Sequence, residues 1–543
     1  VYKRQAQGSL RQFITNANTV TGANAMRFVP AVDHNDASGL DEWWRIDVSD
    51  AFAPIEGAAT TIDGTAFSFV DGTTPADTNS MGPELELNGT GVTVNGLELT
   101  GPGATVHGLV INRFETGIAL LGGSGHTITG NYLGPDATGI VGEVGNREEG
   151  IRIEGSRSNV IGGGTAAERN VISGNENRGI WINDYDDGPA ATADSNTITG
   201  NYIGTDATGS AALPYSGGAT PTYQQIGIAI WDGPGNAIGG ANAGEGNLIS
   251  GNAWFGIYVW GPNAAADVIR GNTIGLDAAA LVAIPNGFDY SAPAGIYVSS
   301  APGTVVGGSN PSEKNKIAAN LGPGILVAGD PAVGTSIVGN AIYDNAGFGL
   351  EVTAPAILIE DNVINNNGTG GIELAGVSLG GDGSTVRGNT IQDHPGPGVL
   401  VRDGFSGNTI TENVFGANGG VSIDLLAAGA TATEQDEGDG ISLNTAVPPD
   451  CGYDAGAGND GVDAPVIDSI EYAAGTTTIK GTACAGATVE VYRIVADGDG
   501  SDTTGGFDYG EGVASLGTAA ADPGTGVFTF ATGALGLGDT IGA

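Results

Sequence analysis

Two short phrases recur along the chain, and their spacing limits its fold more than any other feature. The first, Gly-Asn-x-Ile/Leu-Gly, begins at Gly130, Gly200 and Gly271, which are 70 and 71 residues apart, with looser copies from Gly339 and Gly388. Repeats of this kind are typical of solenoids, in which each unit is completed by its neighbours. The second phrase, a glycine followed by alternating apolar residues, begins at Gly150, Gly179, Gly227, Gly256, Gly295, Gly324, Gly349, Gly371 and Gly398.

Each unit contains short period-2 runs rich in Ile and Val, separated by Gly, Asn and Asp. Three such strands and three turns per unit, stacked in parallel about 4.8 Å apart, make a right-handed single-stranded parallel β-helix. The sequence therefore predicts an all-β protein whose repeats span residues 91–425. We expect one interior stack of isoleucines and one ladder of asparagine amides. The stack contains Ile151, Ile180, Ile228, Ile257 and Ile296, and the ladder contains Asn131, Asn201, Asn272, Asn340 and Asn389.

Longer units carry extra residues after the first phrase, each insertion with an aspartate: Asp136, Asp206 and Asp277. We expect a row of loops on alternate coils. One carboxylate per loop ligates Ca²⁺ poorly, so turn capping is the favoured role and calcium the alternative.

The composition changes after Leu425. Residues 426–464 are acidic and Gly-rich and are interpreted as a linker, and the short alternating strands of 465–543 predict a truncated Ig-like β-sandwich. Cys451 and Cys484 either form one disulfide or stay as two thiols. One loop resembles a Ca²⁺ loop but lacks the glycine at its sixth position and has Asp, not Glu, at its twelfth, so structural calcium is only a weak hypothesis. Its candidate ligands are Asp497, Asp499, Ser501 and Asp508.

The net charge of −43, from 61 acidic and 18 basic residues, excludes nucleic acid as a partner and disfavours anionic membranes. No run of 18 apolar residues exists, so no membrane insertion is expected.

Aromatic residues concentrate at outward positions of the Gly-Ile phrases, although they make up only 6% of the chain. Exposed rings suit the apolar faces of sugars, and neighbouring amides bind hydroxyls, so the sequence predicts a glycan site. The alternative is cross-strand packing beneath an inserted loop. The predicted glycan-binding residues are Trp181, Trp231, Tyr258, Trp260, Tyr297 and Asn183.

Carboxylates near these rings are weak catalytic candidates: Asp184, Asp187 and Asp232. Glycoside hydrolysis needs two carboxylates about 5–9.5 Å apart, which neighbouring coils can supply, but Asp-rich turns are also ordinary in such a chain. No cluster of Lys and Arg is present for lyase chemistry, and His107, His126 and His394 are interpreted as surface turn residues.

The two phrases resemble the parallel β-helix repeats of the pectin-lyase-like superfold. Residues 8–14, with the Asn-Ala-Asn of 16–18, resemble the N-terminal Ser-Leu-Arg-x-Ala-Ile motif of secreted bacterial β-helix proteins (the CSLREA type), although Cys is missing before Ser9 and Phe13 replaces Ala. The resemblance implies export to the cell surface or medium, with residues 8–90 forming a cap and leader coils. Residues 1–7 begin with a sequence similar to a translated sequencing adaptor, so we expect a scar and a cut N-terminus there.

The leading hypothesis is an exported, non-catalytic β-helix protein that binds a glycan or cell-surface component without a cofactor. The alternatives are a polysaccharide-cleaving hydrolase or lyase on the same fold, and a purely structural stalk. An open aromatic groove favours the first two, and rings packed beneath loops favour the third.

Overall fold

The computed structural model describes residues 9–30, 32–68, 70, 72, 79–184, 193–215, 222–426, 429–431, 433, 465–473, 475–495, 511–535 and 540–542. It divides into two compact units, Val1–Leu321 and Gly322–Ala543. Six residues singled out from the sequence lie outside the described residues, so their roles stay predictions: Asp187, Cys451, Asp497, Asp499, Ser501 and Asp508.

The first unit is a solenoid of three parallel sheets, each chain turn supplying one strand to each sheet. Sheet 1 contains Asn24–Phe28, Thr60–Ala66, Thr105–His107, Thr127–Thr129, Val160–Gly162, Thr197–Thr199, Ala237–Ile238, Val268–Ile269 and Val305–Gly307. Sheet 2 contains Asp36–Ser38, Asp41–Asp47, Leu85–Asn88, Leu109–Asn112, Tyr132–Leu133, Val171–Ile172, Tyr202–Ile203, Leu248–Ile249, Thr273–Ile274 and Lys316–Ala318, of which only the first pair is antiparallel. Sheet 3 contains Leu97–Leu99, Ile118–Leu120, Glu149–Glu154, Arg178–Asn183, Ile226–Trp231, Phe255–Trp260 and Ala294–Ser299.

The interior isoleucine stack is confirmed in sheet 3. Ile151 pairs with Ile180, Ile180 with Ile228, and the series continues through Ile257 to Ile296, with every member fully buried. Because single coils cannot bury these side chains alone, stacking creates the core.

The asparagine ladder is confirmed and is longer than expected. In the first unit each side-chain oxygen accepts an amide N–H of the preceding member, and the ladder runs through every coil rather than every second one. Its members are Asn131, Asn170, Asn201, Asn247, Asn272 and Asn315. The second unit has the same arrangement at Asn340, Asn362, Asn389 and Asn413.

The inserted loops are capped turns, as expected. Asp136 accepts the amide N–H of Val141, Asp206 that of Ser210, and Asp277 that of Leu281. The loops also contact one another across the shorter coil between them: Ala207 donates to the Gly139 carbonyl and Ala278 to the Gly209 carbonyl, both at 2.9 Å. These bonds join the three loops into one continuous row.

A short α-helix, Leu10–Ala17, precedes the first strand. Ser9 accepts the amide N–H of Gln12 and so caps the helix, which buries Leu10, Ile14 and Ala17. The described part of the chain holds no helix with the length and apolarity to span a bilayer.

The second unit contains further parallel coils. One stack is Ile325–Ala328, Leu350–Val352, Val377–Leu379, Val399–Val401 and Ile423–Leu425; the second is Ser336–Val338, Leu358–Glu360, Thr385–Arg387 and Thr409–Thr411; the third is Ala341–Tyr343, Val363–Asn365, Thr390–Gln392 and Val414–Gly416. Short 3₁₀ helices occur in the two units at Pro311–Glu313 and Asp330–Ala332. The assignment of a strand after Gly371 is wrong: Ile372 is 67% exposed, and the buried strand follows Gly376 instead.

A small β-sandwich follows in the same unit. Its antiparallel sheets contain Val466–Ala473, Thr476–Thr482 and Val527–Thr532, and Glu511–Ala520, Thr488–Val495 and Thr540–Gly542. Ile479, Val491 and Phe528 belong to their shared core. Cys484 is disulfide-bonded, and its pairing with Cys451 stays a prediction.

Candidate functional site on the outer face of sheet 3

The outward columns of sheet 3 have the predicted register. Trp181 pairs with Ala229, and Ala229 with Tyr258, which in turn pairs with Tyr297; in the next column Trp231 pairs with Trp260. Because the isoleucines between these positions are interior, alternation along each strand directs the rings outward. All five predicted rings are partly exposed. We call this surface the aromatic face.

Three tryptophans of the aromatic face pack edge to face. The rings of Trp181 and Trp231 lie 5.3 Å apart at 80°, and those of Trp231 and Trp260 lie 5.8 Å apart at 66°. Such T-shaped pairs direct the positive edge of one ring at the negative face of the next. The three rings therefore form one row across successive strands.

An arginine covers part of this row. The Arg178 guanidinium carbon lies 4.5 Å from the Trp181 ring and 4.7 Å from the Trp231 ring, and its Nη1 donates to Glu149 at 3.0 Å. Burial raises the pKa of Glu149, and Arg178 opposes that shift. The Nε1 atoms of Trp181 and Trp231 are buried without a hydrogen-bond partner in the described structure. This end of the aromatic face is thus closed by its own side chains.

The other end is formed by tyrosines. Tyr258 and Tyr297 stack with centroids 5.0 Å apart at 16°, and Phe255 contacts both rings and Tyr290. Burial raises the pKa of Tyr258 to about 12, so its hydroxyl remains a hydrogen-bond donor at neutral pH. Tyr290 is 44% exposed and also contacts Trp254. Here large rings remain open to solvent.

The candidate carboxylates Asp184 and Asp232 follow aligned strand ends on successive coils. Their exposed fractions are only 5% and 6%, and their amides donate to the carbonyls of Trp231 and Trp260. Asp232 Oδ1 also accepts the Asn263 amide at 3.1 Å. This burial favours a role in the turns, so catalysis by these residues stays a prediction. Asn183 is buried as well, although the sequence predicted that it would meet a ligand.

Sequence reasoning missed Arg178, Phe255, Trp254 and Tyr290. Arg178 and Phe255 precede the glycines of their phrases and pair with Glu149 and Ala294 in one column, so an alignment begun one residue earlier would have found them. Tyr290 lies in an insertion with no periodic signal.

The described residues contain no cluster of three or more His, Cys, Asp or Glu suited to a metal ion. The interpretation of His126 and His394 as surface residues is wrong, because both are buried in the turn ladders, where each bonds to a neighbouring asparagine. Burial lowers the pKa of His126, and lowers that of His394 to about 4.

Comparison with known proteins bears on the fold. The family model described as the right-handed beta helix region matches residues 222–415. No curated protein matches the chain.

Several solved structures are similar to it. The A-module of mannuronan C-5 epimerase AlgE6 from Azotobacter vinelandii is 11% identical, over 75% of this chain and 89% of its own, with a TM-score of 0.34. The Dettilon tailspike protein is 14% identical, over 91% of this chain and 88% of its own, with a TM-score of 0.38. An alginate lyase from Paenibacillus sp. is 14% identical, over 58% of this chain and 92% of its own, with a TM-score of 0.29. The family match and the strand pairing carry the conclusion that this chain contains a right-handed parallel β-helix.

Proposed function

We propose that this protein is an exported β-helix that binds a neutral glycan, or a surface bearing one, on the aromatic face without cleaving it. One observation carries the proposal: four of the six tryptophans of the chain, Trp181, Trp231, Trp254 and Trp260, gather here with the tyrosines. Full burial of a large apolar side chain is worth about 1.5–3 kcal/mol, and a side chain left partly in water forgoes a fraction of that free energy. A ligand that covers them recovers part of that free energy.

The centre of the proposed site lies at the tyrosine end. Arg178 already occupies the rings of Trp181 and Trp231, whereas Tyr290 is well exposed beside the Tyr258–Tyr297 stack. Aromatic C–H edges and tyrosine hydroxyls offer a sugar apolar contact and hydrogen bonds in one place. Tyr258, Trp260, Tyr290 and Tyr297 are therefore the proposed contact residues.

A neutral ligand fits the electrostatics of the chain. The net charge of −43 repels polyanions, and the two arginines beside the rings, Arg178 and Arg152, are paired with Glu149 and Glu154. Binding rather than cleavage is favoured because Asp184 and Asp232 are buried and a hydrolase must bring both carboxylates to its substrate. Export is part of the proposal and rests on the N-terminal resemblance.

A structural stalk is the second candidate, and the mutual packing of the rings favours it. The stacked Tyr258–Tyr297 pair and the T-shaped tryptophans use ring surface that a sugar would otherwise cover. Under this alternative the rings only stabilise the strand pairing of sheet 3.

A glycan array followed by calorimetry on its hits separates the two functions. Trp260→Ala and Tyr290→Ala are each expected to weaken binding by about 1–2 kcal/mol, the usual contribution of a packed aromatic contact. Tyr472→Ala, which removes an exposed ring from the β-sandwich, is the matched control and is expected to bind like the parent. If both aromatic-face variants bind every hit as well as the parent does, the stalk is the better description. Release of reducing ends from a hit would contradict the proposal that the protein binds its glycan without cleaving it.

A further inference from the structure

A second concave site lies at the corner between sheets 1 and 2 and shares no residue with the aromatic face. It is a cleft of about 580 Å³, within the usual range for small-molecule sites. Its floor includes the tight turns at Gly108 and Gly130, which have φ angles of +67° and +66°. Residues 79–84 and 166–169 rise on either side.

Both walls are held in place by their own hydrogen bonds. In one wall the Tyr132 hydroxyl donates to the Met81 carbonyl at 2.6 Å. In the other, Glu168 accepts the amide and hydroxyl of Thr165 at 3.1 and 2.8 Å, and this closes the loop that leads into Arg169. The cleft is therefore formed before any ligand arrives.

Arg169 is the fixed cation of this cleft. Its Nε donates to the Gly200 carbonyl at 3.3 Å, and its guanidinium lies 4.1 Å from the ring of Tyr202. Among the described residues no carboxylate lies within ion-pair distance of it, in a chain where 61 acidic residues face 18 basic ones. The two terminal amino groups of a guanidinium held in this way form a fork that suits an oxyanion.

His107 supplies a second polar atom. Its Nδ1 lies 3.0 Å from the Thr129 carbonyl oxygen and 3.1 Å from the Thr129 hydroxyl oxygen, which is able to donate to it. Its Nε2 makes no hydrogen bond within the described structure. When Nδ1 accepts from the Thr129 hydroxyl, Nε2 carries the hydrogen of the ring and donates to an oxyanion.

The carboxylate that lines the cleft is turned toward its own wall. Glu84 is buried, and its Oε1 accepts the Asn79 amide at 2.9 Å. Arg169 lines the cleft, whereas this opposing charge is hydrogen-bonded within its own loop.

We propose that this cleft binds the oxyanion of a small ligand, a carboxylate, sulfate or phosphate group, on Arg169 with His107 as the second contact. The site is independent of glycan binding on the aromatic face.

Proton NMR of the imidazoles tests the proposal directly, since the chain has only four histidines. Acetate, inorganic sulfate and inorganic phosphate are each titrated at an ionic strength held constant with sodium chloride. We expect a saturable shift of the His107 resonance, with the buried His126 and His394 resonances unmoved. A response to acetate alone identifies a carboxylate ligand, and a response to sulfate or phosphate a tetrahedral one.

Three variants make the test specific. R169Q is expected to abolish the saturable shift, and R169K, which keeps the charge without the planar fork, to weaken it several-fold. R157Q removes an exposed arginine elsewhere and is expected to titrate like the parent. The His126 and His394 resonances report whether each variant is folded. An equal shift in R169Q and the parent, a non-saturable shift, or an equal loss in R157Q overturns the proposal.

Discussion

At the scale of single residues, Asp267 occupies a position in a second ladder that is otherwise formed by asparagine amides. Asn159, Asn196 and Asn236 form this ladder at the turn that leads into sheet 1, each oxygen accepting the preceding amide. Asp267 continues it, accepting the Asn236 amide at 2.6 Å, but its Oδ2 is buried without a partner in the described structure. A carboxylate thus replaces the amide that the ladder is built for, and burial raises its pKa to about 7.

Asp267→Asn is expected to stabilise the protein at alkaline pH. The folded-state pKa of about 7 lies above the ordinary 3.8, so the folded protein holds a proton that the unfolded chain releases. The cost of the native aspartate therefore appears as the pH rises from about 4 to 7 and is constant above that range. At pH 8 the variant should be roughly 2–4 kcal/mol more stable, and at pH 3.5 equal to the parent.

Thermal melts across pH measure this difference, with the exposed Asp33→Asn as control. A parent and variant whose difference in melting temperature is the same at pH 3.5 and pH 8 would show that Asp267 does not titrate in this range.

At the scale of elements, the Gly-Ile phrase predicts strands well but not without error. Gly256 lies in a buried strand and Gly371 does not, although both are followed by alternating apolar residues. Three alternating residues carry too little signal to separate a strand from a turn, and the next glycine, Gly376, shifts the strand by five positions. Interior positions follow from such patterns, whereas the ring contacts of Tyr290 do not, because the insertion that holds it does not recur.

The isoleucines that follow Gly256 and Gly371 give a matched pair of substitutions. Ile257→Asp places a charge in a dry interior and is expected to cost several kcal/mol of the free energy of unfolding. Ile372→Asp makes the same chemical change at an exposed position and should stay within about 0.5 kcal/mol of the parent. Denaturant unfolding compares them. Equal losses in both variants would contradict the assignment of the interior.

The aromatic face likewise combines features that the repeat predicts with features that it does not. The register of Trp181, Trp231, Tyr258, Trp260 and Tyr297 follows from the repeat, since outward columns are fixed once the interior is known. The closing of one end by Arg178 does not follow, because side-chain packing between columns depends on rotamers. The cleft at Arg169 was not predicted either, since its walls, residues 79–84 and 166–169, come from segments far apart in the sequence.

At the scale of the whole molecule, the charge of −43 separates the two proposed sites by their response to salt. Contacts between rings and neutral sugars carry little net charge, so affinity on the aromatic face should change less than about 2-fold between 50 and 500 mM sodium chloride. Oxyanion binding at Arg169 depends on a charged contact within that negative field and should change clearly with salt over the same range. Parallel titrations of an array hit and of the responding oxyanion make the comparison. A steep loss of glycan affinity with salt would indicate a charged ligand instead.

The contacts within the row of inserted loops determine how many coils such a chain can gain or lose at a time. Loops contact across one short coil, through Gly139 with Ala207 and Gly209 with Ala278, and the first phrase accordingly recurs after 70 and 71 residues, which is two coils. Removing one coil would bring two long loops onto adjacent levels or leave one without its neighbour. Removing two restores every bond of the row. We therefore expect gene duplications and deletions in proteins of this kind to be tolerated in pairs of coils.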